Sequence, residues 1–384
     1  MKICKNNKGI TLIALVVSII VLLILAGISI SMLTGQNGIL NRASEAREQT
    51  ETSQKEENKK MQGYEDLINI YETGGLPKRE GTKPYLPDST FSYKEGNLNT
   101  GLVIIDNNGN EYVWVEVPKT DAVYQTAGIN IANFNDSEYI SIEADLKNYT
   151  SDYSNINYND ANPSFTTQYK KMLKSVYDNG GFWIGRYEAG LEGNIPRTGH
   201  SEITYKAVIK QNMLPYNYIT RDEAQELAEG MNYENCTSSL IFGVQWDLAL
   251  KNVETKNAML KDNLILDSKT IGNYRNSLYN ISIVNAKYSI DNGNSFSNCP
   301  YKKENEVGAL LTTGANLNFK LMNIYDMGGN VWEWTLEMHS DGYPCAFRGG
   351  SYDNSGDSYC IKSREVRGTS DLSNNIGFRI GLWN

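Results

Sequence analysis

Cysteine and histidine are the residues best suited to redox or metal chemistry, and their number limits what that chemistry can be. The chain has only two histidines, His200 and His339, whereas histidine-based iron and zinc centres usually take two or three imidazoles. Five cysteines occur, none in the C-x-x-C spacing of zinc and redox sites: Cys4, Cys236, Cys299, Cys345 and Cys360. The last four form either two disulfides outside the cell or four buried free thiols, and the sequence leaves both readings open.

Charged residues near the C-terminal end form a second group with chemical potential. In the run Trp332-Glu333-Trp334, alternation along a strand places the two rings on one side and the carboxylate on the other. We predict that both rings pack in the core. Three of the arginines that follow are candidates for buried ion pairs: Arg348, Arg364 and Arg379. A guanidinium can hold a buried carboxylate or carbonyl bidentately, so we predict structural roles for all three.

The composition excludes some functional classes. With 40% hydrophobic and 10% aromatic residues, the 384-residue chain is typical of a folded protein of one large or two medium domains. Its formal net charge of −9 argues against an exposed nucleic-acid-binding surface, so we expect no nucleic-acid partner. The 25 tyrosines and 33 glycines favour many strands and turns over long helices.

A long apolar run opens the chain. The stretch from Ile10 to Leu33 contains no charge, and roughly 20 residues suffice to cross a bilayer as a helix. Lys2, Lys5 and Lys8 precede this run, which predicts a cytoplasmic leader and an exported remainder. An ordinary signal peptide fits poorly, because the run is too long and no small-x-small cleavage site follows it.

The junction before this run resembles the type IV prepilin signal, in which a short basic leader ends in Gly. The matching residues are Gly9 and Ile10. The resemblance implies that prepilin peptidase cuts after Gly9, that Ile10 becomes a methylated N-terminus, and that other pilin subunits are partners. The family usually has Glu at the fifth mature position, where this chain has Ala14. Because that Glu neutralises the amine of a neighbouring subunit, its absence favours a minor, tip-located or merely tethered subunit over a major one.

The remaining sequence predicts an α+β domain on a stalk. We divide the chain into a leader (1–9), a transmembrane or pilin helix (10–33), a charged stalk helix (34–73), a linker (74–92) and a globular domain (93–384). Residues 102–117 are typical of a β-hairpin, and residues 130–165 of an irregular surface loop. Thr220 and Glu223 have the spacing of a capping box at a helix start, and a second helix is expected at residues 244–253.

Three separated segments resemble the formylglycine-generating enzyme, or sulfatase-modifying factor, family. They are Phe182–Glu188 (FWIGRYE), Tyr325–Thr335 (YDMGGNVWEWT), and the pair RGGS at 348–351 with NIGFR at 375–379. Three motifs in the family's order are far more specific than any one of them. The resemblance covers residues 93–384 and implies a variant of the C-type lectin fold.

The resemblance also implies a calcium site at the W-E-W turn. Carried over position by position, its ligands are the side chains of Asp326 and Glu333 and the backbone carbonyls of Gly329 and Val331. Hard oxygen donors from a compact turn suit calcium. The alternative is a solvated acidic turn without metal.

The enzymes of this family oxidise a substrate cysteine with two thiols that bind copper. Cys360 matches the second thiol, but Asn354 or Ser355 stands where the first is expected, and the spacing is one residue longer. A two-thiolate copper site cannot be built from one thiol, so we expect no copper. The iron-binding members of the superfamily use a histidine triad, which two histidines cannot supply. Whether the chain is an enzyme stays open at this point, and the sequence argues against it.

We therefore predict a single-pass protein of the cell membrane, on the cell surface or in a pilus, whose extracellular C-terminal domain binds a protein or glycan ligand. The candidate ligand-binding loop consists of Tyr352, Asp353, Asn354, Ser355, Asp357, Ser358 and Tyr359. These residue types arise from Asn codons by changes at adenines, which diversity-generating retroelements introduce in some proteins of this fold. Two alternatives remain: a divergent extracytoplasmic oxidoreductase with Cys360 as its thiol, and a structural minor pilin.

Overall fold

A computed structural model describes residues 15–25, 39–73, 75–160, 163–340 and 342–384. The predicted cleavage site at Gly9 and Ile10 lies outside these residues. Residues 15–25 of the predicted membrane segment are helical, and its other residues, 10–14 and 26–33, are outside the described part. Within the described ranges, no helix is both long and apolar enough to cross a bilayer.

The chain divides into two compact units, Met1–Tyr64 and Glu65–Asn384. Helix α1 (Ile39–Thr73) occupies the charged stretch, begins in the first unit and ends in the second. Its side chains at residues 45–58 are all exposed, and an ion pair of 2.8 Å joins Arg47 and Glu51 one turn apart. Such an exposed pair adds only a few tenths of a kcal/mol to helix stability.

The second unit has α+β architecture. Its other helices are α2 (Asp136–Tyr149), α3 (Thr166–Asn179), α4 (Arg221–Glu229), α5 (Gly243–Thr255) and α6 (Lys261–Ile265). Its strands are β1 (Ser92–Glu95), β2 (Val103–Ile105), β3 (Glu111–Glu116), β4 (Gly181–Gly185), β5 (Gly190–Leu191), β6 (Ala207–Val208), β7 (Thr237–Leu240), β8 (Tyr279–Ile281), β9 (Lys287–Ser289), β10 (Ser297–Asn298), β11 (Tyr301–Lys303), β12 (Leu310–Leu311), β13 (Lys320–Leu321), β14 (Ile324–Tyr325), β15 (Trp332–Thr335), β16 (Cys345–Arg348), β17 (Arg364–Arg367), β18 (Ile376–Phe378) and β19 (Ile380–Trp383).

Two sheets carry the core of this unit. The larger has the order β1-β2-β3-β4-β19-β7, so the last strand of the chain lies between β4 and β7. Trp114 of β3 stands opposite Trp183 of β4, with ring centroids 5.0 Å apart, and both rings are buried. The smaller sheet has the order β17-β16-β15-β18, in which β15 and β18 run parallel. Strands β18 and β19 are separated by Arg379 alone, which links the two sheets covalently.

Several local predictions are confirmed. Strands β2 and β3 form the expected antiparallel hairpin, with Val103 opposite Val113. At the start of α4, the Thr220 hydroxyl accepts from the Glu223 amide at 3.3 Å, and the Glu223 carboxylate accepts from the Thr220 amide at 3.0 Å. Helix α5 covers the second predicted helix.

The prediction of an irregular loop at residues 130–165 was wrong, because α2 lies within it. The side chain of Asn135 caps α2 by accepting from the Ser137 amide at 2.8 Å. Tyr139, Ile142 and Leu146 are buried on the inward face of α2. Tertiary burial of this short apolar stripe outweighs the high polarity of the segment.

The glycine-rich motifs fold around one aromatic ring. Tyr274 is fully buried, and its hydroxyl donates to the Gly349 carbonyl at 2.7 Å. A Cβ at Gly350 would lie 2.6 Å from this ring, and one at Gly356 would lie 3.0 Å from it. Gly350 also has φ +80°, a conformation that L-residues rarely adopt. The RGGS motif therefore needs glycine for both space and backbone conformation.

We expect Gly350→Ala to lower the free energy of unfolding by about 2 kcal/mol or more, because it adds left-handed strain and overpacks Tyr274. Urea denaturation measures the change. Gly199→Ala is the matched control, since a Cβ there meets nothing within 4 Å. Equal stability of the two variants would contradict this packing.

Candidate functional site

The three motif segments meet at the guanidinium of Arg379, which is fully buried. It donates bidentately to the Glu333 carboxylate, with Nε–Oε2 and Nη2–Oε1 distances of 2.8 and 2.5 Å. The same group donates to the carbonyls of Gly185 and Tyr325 at 2.9 and 2.8 Å. The predicted role of Arg379 as a bidentate holder of a buried carboxylate is confirmed.

A second carboxylate, Glu188, joins the first motif to the central one. It accepts from the Asn330 side chain at 2.6 Å and from the Val331 amide at 3.1 Å. Burial, followed by the nearby charge of Asp326, raises the pKa of Glu188. Burial likewise raises the pKa of Asp326 to about 7, and its carboxylate accepts from the Gly314 amide at 2.6 Å.

At the W-E-W turn, protein groups engage both carboxylates of the calcium site that the resemblance implies. Both oxygens of Glu333 face Arg379, and one oxygen of Asp326 is held by a backbone amide. In the described part of the chain, no cluster of three or more His, Cys, Asp or Glu side chains has a metal-binding arrangement. Calcium at Asp326, Gly329, Val331 and Glu333 stays a prediction.

Cys360 lies in a closed setting. The residue is 6% exposed, and its thiol contacts the Ile265 carbonyl at 3.4 Å and the Ser363 hydroxyl at 3.7 Å. Of the two residues that could stand at the missing thiol, Asn354 accepts through its side-chain oxygen from the amide and hydroxyl of Ser351 at 3.1 and 2.9 Å, and the Ser355 hydroxyl accepts from the Asn276 side chain at 2.8 Å. Asn354 closes the turn after RGGS.

The other thiols in the described part of the chain are also free. Of the two arrangements left open by the sequence, the structure therefore has free thiols at Cys236, Cys299, Cys345 and Cys360. Burial raises the pKa of Cys236 to about 12 and that of Cys345 to about 11. Thiols with such high pKa values carry little thiolate at neutral pH and are poor nucleophiles.

Most of the predicted ligand-binding loop is tied to the domain. Tyr352 is buried, and Asp353, Asn354, Ser355 and Tyr359 are half-buried. Asn276, which is not part of the loop, donates to the Ser355 hydroxyl at 2.8 Å. Among the seven predicted residues, only Asp357 and Ser358 are exposed. The loop therefore offers a small tip rather than a broad surface.

A larger recess lies elsewhere on the unit, and we call it the Asp160 cleft. Its volume is about 560 Å³, the size of a small-molecule or side-chain site. Its walls come from the end of α2 and the segment that follows, the start of α5, the segment after β15, and β17. Its lining residues are Lys147, Asn148, Thr150, Ser151, Ser154, Asn155, Ile156, Tyr158, Asn159, Asp160, Val244, Asp247, Glu337 and Arg364.

A ring of four charges supports the floor of the Asp160 cleft. Arg348 contacts Asp247 at 2.7 Å and Glu337 at 3.4 Å. Arg364 contacts the same two carboxylates at 2.7 and 2.8 Å. Each arginine bridges both acids, so the ring resists any single side chain turning away. The structural roles predicted for Arg348 and Arg364 are confirmed.

Asp160 lies at the edge of this ring. Its two oxygens accept from the amides of Gly243 and Val244 at 2.6 and 2.9 Å, which caps α5. Burial, followed by the charge of Glu337, raises the pKa of Asp160 to about 7. Sequence reasoning missed Asp160, because it stands in a polar segment without a recognisable motif. The arginines signalled buried carboxylate partners, which are Asp247 and Glu337, but they gave no signal for Asp160.

Comparison with known proteins identifies part of the chain. Residues 231–381 match the family model described as a sulfatase-modifying factor enzyme 1-like domain. A search of curated proteins found no significant match. The chain thus carries a domain of the formylglycine-generating-enzyme type at residues 231–381, which supports part of the range 93–384 that the sequence motifs predicted.

Solved structures are similar at low identity. Treponema denticola variable protein 1 is 15% identical over 53% of this chain and 85% of that chain, with a TM-score of 0.32. CarF is 13% identical over 53% of this chain and 87% of its own, also with a TM-score of 0.32. PvdO from Pseudomonas aeruginosa is 15% identical over 54% of this chain and 82% of its own, with a TM-score of 0.26.

Proposed function

We propose that this chain is a cell-surface binding protein, tethered by its leading apolar segment, and that the Asp160 cleft of its globular unit receives the ligand. The observation that carries this proposal is the cleft itself: a recess of about 560 Å³ over a floor of paired charges. Rigid, pre-paired polar groups bind a ligand without the cost of ordering the site first.

The surroundings of Cys360 support binding over thiol oxidation. Asn354 or Ser355 stands where the first thiol is expected, and the Cys360 thiol is buried against a backbone carbonyl. Cys360 is also absent from the lining of the Asp160 cleft. A ligand in the cleft would contact carboxylates, amides, hydroxyls and one arginine rather than sulfur.

The predicted anchor rests on the sequence alone. The charge-free run from Ile10 to Leu33 and the junction at Gly9 favour export with membrane retention. Adhesion to a protein or glycan and a place among other pilin subunits belong to this proposal. Diversification of the C-terminal loop gains less support, because two exposed positions give little surface to vary.

We expect the full chain, purified in detergent, to bind members of a combined glycan and peptide array through the Asp160 cleft. Ser154→Trp should reduce that binding by about tenfold or more, because Ser154 lines the recess and an indole there takes up ligand space. Ser89→Trp is the matched control, since Ser89 is exposed and outside the cleft. Array binding that survives unchanged in the Ser154 variant would refute the cleft as the ligand site.

We expect the chain to lose residues 1–9 and gain one N-terminal methyl group when it is expressed with a prepilin peptidase. Gly9→Val should keep the full-length mass, because the peptidase needs the small residue before the cut. Gly27→Val, a glycine within the apolar run, should be processed normally. Intact-mass spectrometry of the membrane fraction measures all three. A product that begins after residue 33 would instead identify an ordinary signal peptide.

A further inference from the structure

The buried charges around the Asp160 cleft do not balance. Asp160, Asp247 and Glu337 contribute three negative charges when ionised, and Arg348 and Arg364 contribute two positive ones. One negative charge is therefore in excess. All three carboxylates are only 3% exposed, and buried charges are normally paired.

The excess charge belongs to Asp160. Asp247 and Glu337 each contact two guanidinium groups, whereas Asp160 is bonded by two backbone amides and takes part in none of the described ion pairs. Lys147, the lysine that lines the cleft, is paired with Glu143 at 2.8 Å, and its charge lowers the pKa of Asp160 by less than burial and Glu337 raise it. The cleft therefore lacks one cation within the described part of the chain.

Asp160 and Glu337 converge on the same glycine. The Asp160 carboxylate accepts from the Gly243 amide at 2.6 Å. A Cβ at Gly243 would lie 2.3 Å from the carboxyl carbon of Glu337. Two carboxylates thus flank one backbone position at the wall of an open recess. The half-buried ring of Tyr158 lines the same recess, with the guanidinium carbon of Arg364 5.6 Å from the ring centroid.

We propose that the Asp160 cleft binds a primary ammonium group, carried by a lysine side chain or by a free amine, which supplies the cation missing from this five-charge cluster. This inference rests on the proposed role of the cleft as a ligand site and names the chemistry of the ligand. A lysine ammonium suits the recess because its slender stem can pass apolar wall residues such as Ile156 and Val244.

Binding should be linked to a proton. Since burial and Glu337 raise the pKa of Asp160 to about 7, an ammonium ligand must displace a proton from Asp160 at lower pH. Affinity should therefore fall about tenfold per pH unit below 7 and level off above it. The other titratable or charged groups around Asp160 are Tyr139 and Lys147 of α2, Tyr169 of α3, Asp247 of α5, Glu337 after β15 and Arg364 of β17.

The test uses a matched pair of ligands and the full chain in detergent. Isothermal titration compares Nα-acetyl-lysine methylamide with Nα-acetyl-norleucine methylamide, which has the same stem without the amine. We expect binding of the lysine compound alone, with proton release at pH 6 that disappears at pH 8. Titration with n-butylamine distinguishes the two sources of the ammonium group. Affinity equal to that of the lysine compound indicates a free amine, and weaker affinity indicates a lysine side chain of a peptide.

Two variants locate the contact. Asp160→Asn should weaken binding of the lysine compound by about tenfold or more and remove its pH dependence. Asp152→Asn is the matched control, because Asp152 lies in the same segment, pairs with Lys261 at 2.6 Å and is outside the cleft lining. Circular dichroism checks that both variants are folded, and the ligand pair remains decisive if Asp160→Asn is not.

The outcomes separate this inference from the proposed function. If the lysine and norleucine compounds bind equally or not at all, while array binding is still lost in Ser154→Trp, the ammonium inference falls and the cleft remains a ligand site. If array binding is also unaffected by Ser154→Trp, both fall. Binding of the lysine compound that persists in Asp160→Asn and shows no pH dependence would also overturn the inference.

Discussion

The guanidinium of Arg379 is the contact that holds the globular unit together. Its donors reach Glu333 on β15, the Gly185 carbonyl at the end of β4 and the Tyr325 carbonyl at the end of β14. Arg379 lies between β18 and β19, where the chain passes from one sheet to the other. Its side-chain contacts therefore hold the two sheets together at this point. An unpaired guanidinium in a fully buried position would cost several kcal/mol. The backbone carbonyls that accept from Arg379 must therefore keep their positions.

That constraint explains which features the sequence could predict. Each of the three arginines required a buried acceptor and the W-E-W run required a strand with its rings in the core, so β15 and the arginine contacts were foreseeable. The glycines at 349 and 350 are explained by the crowding of Trp246 and Tyr274 against them. The capping box at Thr220 and the hairpin at β2 and β3 are local signals that need no tertiary information.

Other features depend on contacts that sequence patterns do not record. Helix α2 has a sparse apolar stripe, and its burial is decided by neighbours distant in the chain, among them α3 and α5. Asp160 gave no signal for the same reason, since its role exists only where the start of α5 meets the segment after α2. The loop at 352–359 resembled a free surface loop by composition, but its partners lie 80 residues earlier.

The charged groups and the Cys360 thiol lie in different settings in the globular unit. Paired charges lie beside an open recess, while the Cys360 thiol is enclosed between the Ile265 carbonyl and the Ser363 hydroxyl. The most direct test is mass spectrometry of cysteine-containing peptides incubated with the full chain, copper and oxygen. The account predicts no more conversion of cysteine to an aldehyde than in a sample with Cys360→Ser. Aldehyde formation that is lost in Cys360→Ser would contradict it and identify the chain as an enzyme.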